Sequence, residues 1–394
     1  MPRGFPNSTV KTGPDVLLDG RTGFRLAGTW GHVGVVDGGG HVCELVSNRA
    51  SGINPLWRPP WKTIDPHTYD PGKHSKVYGQ PPDGRLLAGI AGHNLSFDHF
   101  GPPSKEEIAA GLSTHGEASW RKWRRLGFWK TPLPSVEYGL TLSDAHIRFT
   151  RKISVEPQSP VVYYEETANS LVAFDRPICW NEHVTFGPPF LEPGVSTFDI
   201  PATRAKVCPA SFSSRMFLQP DAEFRWPYAP AARAKRLDLR ITSNRIHGRY
   251  TAQLIDPQLK TGWFAASNPR LGLLVLYLFR RLDFPWVGSW EERFYRKTAP
   301  WKGKTFCRGI EFSTTPFAVP RRESVAQGTL FGEPTYRWLP AKAVQRIRYL
   351  TLLFEVAKNF RGVAEVSLTR RNVLVRERGS RQRPLSMNVR EFLQ

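Results

Sequence analysis

His146-Ile-Arg-Phe-Thr-Arg-Lys-Ile-Ser-Val155 sets Ile147, Phe149, Ile153 and Val155 on alternate positions, and Val161-Val-Tyr-Tyr-Glu-Glu-Thr167 follows after a turn at 157–160. Side chains two apart share one face of a strand, so this stretch predicts an antiparallel hairpin with one face buried. The same period continues outward. Residues 249–255, 261–266, 304–312 and 362–368 read as further strands bounded by Gly, Pro or Asn. Residues 271–279 are apolar on both faces, the pattern of a central strand.

The 33 glycines and 34 prolines leave little uninterrupted chain for helices of ordinary length, so the protein is expected to be all-β with a few short helices. One helix start is explicit. Ser104-Lys-Glu-Glu107 has the capping-box spacing, in which hydroxyl and carboxylate satisfy each other's orphan amides, and Gly111 should stop that helix after about two turns. A second helix is expected between 341 and 360, although 351–356 reads equally well as a strand. Residues 193–230 are the best place for loop-rich excursions. With no internal repeat or linker, one domain over 1–394 is the simplest organisation.

The chain has 394 residues, 40% of them hydrophobic, which excludes a disordered or fibrous protein. Its four cysteines, Cys43, Cys179, Cys208 and Cys307, stand far apart and read as buried thiols rather than a disulfide framework. The N-terminal residues lack the apolar core of a signal peptide, and 271–279 is too short to span a bilayer; a soluble, cytoplasmic protein with no membrane partner is the expectation. The net charge is +21, but the basic residues are scattered, with a denser stretch from Lys342 to Arg390. A solvated basic surface is the simpler reading, and no nucleic-acid partner is expected.

Four segments carry polar groups worth singling out. His93, Asn94, Asp98 and His99 lie close together in a glycine-punctuated stretch suited to binding, or else to capping its own backbone. His115-Gly116 stands near Trp120, Trp123 and Trp129, and a hydrogen-bonding group beside aromatic surface is what a sugar needs. In Asn181-Glu-His183, strand alternation sends Asn181 and His183 one way and Glu182 the other. His183 titrates nearest neutral pH and is a candidate acid or base. Glu311 lies in an otherwise apolar strand, and Trp286, Trp290, Glu291 and Glu292 add rings and carboxylates nearby. No metal-ligand spacing, phosphate loop or nucleophile elbow is present, so neither metal nor cofactor is expected.

Taken in order, these elements resemble the galactose mutarotase-like superfamily, whose best-known members are the aldose 1-epimerases. Asn94 falls at its asparagine-bearing loop, and His115-Gly116 is similar to its substrate-binding His-Gly. Glu165-Glu-Thr-Ala-Asn169 followed by His183 matches its strand ending in Asn and then the catalytic histidine. Gly309-Ile-Glu311 with Thr315-Pro316 and Ala318 is similar to the segment of its catalytic glutamate. The agreement spans residues 40–320, with 321–394 as closing strands and a basic C-terminal segment.

The resemblance implies an antiparallel β-supersandwich with a sugar cleft across one sheet. It implies ring opening with Glu311 as base and His183 as acid, held charged by Glu182 or another nearby acid. His115, Asn94, His93, Glu182 and Glu292 would hold substrate, and Trp120 or Trp286 would stack on the ring. The family's Asn-Arg pair, the two-glycine form of its His-Gly motif and its Gln-containing segment after the glutamate are missing. Its sugar-binding aspartate has two candidates, Asp256 and Asp283. Fold therefore transfers more safely than substrate. Competing readings are a non-catalytic carbohydrate-binding protein and a glycoside hydrolase pairing Glu311 with Glu291 or Glu292. The basic surface suits an acidic sugar.

Overall fold

The computed structural model describes residues 11–48, 52–209, 218–231 and 235–393. The hairpin is present as Ile147–Val155 paired antiparallel with Val161–Ser170, and Ile147, Phe149, Ile153 and Val155 are fully buried. It belongs to an eight-stranded antiparallel sheet. From edge to edge this sheet runs through Thr197–Asp199, Thr261–Asn268, Leu273–Arg280, Val344–Glu355, Val161–Ser170, Ile147–Val155, Ser135–Leu142 and Arg124–Trp129. Leu273–Arg280 is a buried interior strand, as its two apolar faces require.

A second sheet of eleven strands packs against the first. Its order is Gly13–Val16, Thr22–Gly28, Gly31–Val36, Val42–Ser47, His93–Phe97, Trp180–Phe186, Phe306–Ser313, Trp286–Arg293, His247–Ile255, Ala202–Val207 and Glu223–Arg225. One apolar core between the sheets takes Phe97, Val184, Ile310 and Phe312 from the larger sheet and Phe149, Tyr164, Tyr277 and Tyr349 from the smaller. The architecture is the expected antiparallel β-sandwich. Val363–Leu368, Asn372–Glu377 and Leu385–Asn388 form a small third sheet whose Val363, Val373 and Val375 pack on the outside of the eight-stranded sheet.

The capping box forms as read: Ser104 accepts from the Glu107 amide and Glu107 from the Ser104 amide. Its helix, Lys105–Ala109, is shorter than expected. Of the two readings offered for 341–360, the helix is corrected and the strand alternative at 351–356 is met within the longer strand Val344–Glu355. Its core-facing Ile347, Tyr349 and Leu353 are buried, and interior sheet neighbours on both sides override local propensity. Short strands interrupt the expected loop region, Thr197–Asp199, Ala202–Val207 and Glu223–Arg225 among them; 210–217 lie outside the described residues. All four cysteines are buried free thiols. Among the described residues, no helix is long and apolar enough to cross a membrane.

Candidate active site

The pleat of the larger sheet divides its side chains. In Trp180–Phe186, Trp180, Glu182, Val184 and Phe186 point between the sheets, while Asn181, His183 and Thr185 point outward. Register then sets the outward groups in rows. His183 stands between Asn94 of one neighbour and Glu311 of the other. His183 Nε2 is 3.0 Å from Glu311 Oε1, and its Nδ1 is 3.0 Å from the Thr185 hydroxyl.

This pair forms the floor of a cavity of about 470 Å³. Apolar walls come from Leu86 and Leu87 of the helix Gly84–Gly89, and from Ile90, Phe100, Trp290 and Trp301. Trp290 meets the His183 ring edge-on at 5.7 Å. Burial removes water from both members of the pair. It pushes the Glu311 carboxyl up to about 8 and, as the main cause, the His183 imidazole down to about 3. Each charged form is disfavoured, so burial favours a neutral pair in which the shared proton lies toward Glu311 rather than His183. The sequence reading had His183 charged by Glu182 or another nearby acid; the acid beside His183 is Glu311 on the next strand, and burial disfavours the charged imidazole.

His115 also faces the cavity. Its backbone is left-handed, φ +63°, and Gly116 follows at φ +73°, where a Cβ would lie 2.2 Å from the Phe97 carbonyl oxygen. That turn carries the ring onto Phe100, with centroids 5.3 Å apart, and edge-on to His183 at 5.6 Å. Its Nδ1 accepts the Gly101 amide at 3.2 Å, which leaves the proton on Nε2 as a donor. Burial holds its pKa well below the ordinary value. Asn94 is buried beside His183, and neither atom of its amide has a hydrogen-bond partner among the described residues.

Other expected contacts fall elsewhere. His93 and Glu182 are corrected: alternation turns both inward, where His93 Nε2 meets Glu182 Oε2 at 2.8 Å between the sheets. There Arg151 joins Glu182 to Glu166, and Tyr349 and Trp180 donate to both carboxylates. Trp286 is fully buried and donates to the Pro334 carbonyl at 2.9 Å instead of lining the cavity. Glu292 accepts the Tyr295 and Arg296 amides at 2.7 and 2.9 Å, fixing the turn that brings Arg296 to the cavity. Glu291 points inward to Arg249, so it cannot flank a bond with Glu311. Trp120 lines a different hollow. Asp256 caps the Gln258 amide and Asp283 pairs with Arg337; neither lines the cavity.

Sequence reasoning missed Tyr250, Arg296, Trp301 and the wall from helix Gly84–Gly89. These come from remote segments with no local signature. The nearest signal was the tryptophan content: Trp57, Trp61, Trp290 and Trp301 pack together beside the pair.

No family model and no curated protein matches this sequence. Solved structures do. A provisionally assigned aldose 1-epimerase from Klebsiella pneumoniae superimposes with a TM-score of 0.63 at 13% identity, over 86% of this chain and 80% of that one. A galactose mutarotase-like protein from Clostridium acetobutylicum gives 0.58 at 16%, over 89% and 100%. A galactose mutarotase related enzyme from Lactobacillus acidophilus gives 0.53 at 11%, over 85% and 98%. The chain has the galactose mutarotase-like β-sandwich fold, with a sequence far from these neighbours.

Proposed function

We propose that this protein is an aldose 1-epimerase-type isomerase that interconverts sugar anomers. The observation that carries the reading is the His183–Glu311 pair, 3.0 Å apart on the floor of an open-mouthed cavity walled partly by aromatic rings. The anomeric hydroxyl and the ring oxygen are bonded to the same carbon. Two groups side by side therefore suit them.

One member takes the proton of the anomeric hydroxyl as the bond from the anomeric carbon to the ring oxygen breaks, and the other protonates the released oxygen. Rotation and the reverse transfer close the ring on the other face. Every proton given up is returned, so neither metal nor cofactor enters the balance. In the resting state Glu311 is the acid and His183 the base. After one transfer the roles exchange, and Glu311 acts as base. His115 Nε2–H holds a hydroxyl, Asn94 backs His183 from beneath the cavity floor, and Trp290 and Trp301 face the apolar side of the sugar.

The test is the rate of optical-rotation change of freshly dissolved aldoses, neutral and acidic, with wild-type protein, His183→Asn and Glu311→Gln. Acceleration lost in both variants supports the reading. No acceleration with any sugar, alongside a sugar-dependent rise in melting temperature, would replace it with a binding protein on the same fold.

A further inference from the structure

A second hollow, of about 630 Å³, opens on the outer face of the eight-stranded sheet, where Arg124–Trp129, Ser135–Leu142 and Ile147–Val155 meet the segment 120–122. Gly139 helps to keep its floor open, since a Cβ there would lie 2.8 Å from Leu126 Cδ1. Arg121, Lys122, Arg124 and Arg148 line it together with His67 and Trp120, and no carboxylate does. Arg121 is neutralised by Glu117. Lys122, Arg124 and Arg148 are exposed, and among the described residues their side chains have no ion-pair or hydrogen-bond partner.

The contrast with the other basic hollow is informative. That one, beside the C-terminal hairpins, has a volume of about 730 Å³, and its Arg280, Arg281, Arg370 and Arg390 pair with Asp283, Glu333, Glu391 and Glu156. Its charge is largely spent. In the 630 Å³ hollow three cations remain uncompensated, and their charges add to one positive surface potential. Guanidinium forks match planar carboxylates, and separated cations suit a ligand whose negative charges are also spaced.

The segment 113–122 runs between the cavity and the hollow without any residue lining both. His115 faces the cavity, and five residues later Trp120 faces the hollow with its indole N–H held by the Ser113 hydroxyl at 2.7 Å. Arg85 lies over the Trp120 ring at 4.6 Å, and it belongs to the helix whose Leu86 and Leu87 wall the cavity. We propose that the hollow binds uronate residues of an acidic oligosaccharide; the choice of a sugar ligand rests on the isomerase reading above.

The experiment is calorimetric titration of the full chain with trigalacturonate, maltotriose, inorganic phosphate and a short DNA duplex. It compares wild type, His183→Asn and the triple variant Lys122→Gln, Arg124→Gln, Arg148→Gln, with melting temperature as the check on folding. The expected result is salt-dependent binding of trigalacturonate, weakened at least tenfold in the triple variant and retained in His183→Asn, with maltotriose indifferent to the triple change. Equal trigalacturonate binding by wild type and triple variant, phosphate binding as strongly as the trimer, or a preference for DNA lost in the triple variant would each overturn the proposal. Cation-dependent trimer binding by a protein that accelerates no anomer exchange would sink the isomerase reading and leave the hollow standing. Anomer exchange with no effect of the triple variant would do the opposite.

Discussion

His183 and Glu311 occupy opposed positions on adjacent antiparallel strands, and their side chains meet at 3.0 Å with almost no exposure to solvent. Strand register sets which residues are opposed, and burial makes the proton they share costly to separate into charges. Replacing His183 by Asn removes one partner in the transfer while keeping a polar group in the row. Anomer exchange measured by polarimetry should fall by about 10²–10⁴-fold. Sugar affinity by calorimetry should change little. An affinity loss as large as the rate loss would make His183 a binding residue.

Glu311 also makes a stability prediction. Its folded pKa of about 8 lies above its ordinary 4.5, so folding favours the protonated form. Stability is unaffected below pH 4.5 and is lost as the pH rises through about 8. Glu311→Gln keeps the shape without the titration. Melting curves of variant and wild type should coincide near about pH 4 and separate in favour of the variant by about pH 8.5, by about 1 °C for each kcal/mol relieved. A constant offset at every pH would contradict the burial argument.

Gly309 lies one outward position before Glu311. A Cβ there would stand 2.8 Å from Glu311 Oε1 and 3.2 Å from His183 Cε1. Gly309→Ala should therefore displace the carboxylate and lower kcat by about 10–100-fold, since small misplacements of reacting groups are costly. The melting temperature should stay within a few degrees, because the group that yields is the end of a side chain. Full activity in this variant would show that the pair is not held tightly by the strand.

Between the sheets, Arg151 is the only cation among the described residues to bridge Glu166 and Glu182, and all three are fully buried. Burial pushes Glu166 up to about 8 even with the arginine present. Arg151→Met would leave Glu166 and Glu182 in the core without their shared cation and should cost about 3–5 kcal/mol in denaturant unfolding. Adding Glu166→Gln should recover part of that loss. A lone Arg151→Met as stable as wild type would show the network to be dispensable.

Much of the fold was legible because alternation is local. The hairpin at 147–170, the strand at 273–280 and the capping box at Ser104 each depend on residues within a few positions of one another. The helix expected between 341 and 360 failed for the complementary reason. Val344–Glu355 is a strand because neighbours far away in sequence pair with it on both sides.

The site divides in the same way. From sequence alone, the alternation in Asn181-Glu-His183 already separated His183 from Glu182, and His115-Gly116 was already singled out as a binding element. Tertiary structure decided the rest. That His183 stands beside Glu311 follows from a strand pairing across more than a hundred residues, and that Trp301 rather than Trp120 faces the cavity follows from loop packing. The protonation of the pair was decided there as well, because desolvation depends on everything packed around a group and not on its neighbours in the chain.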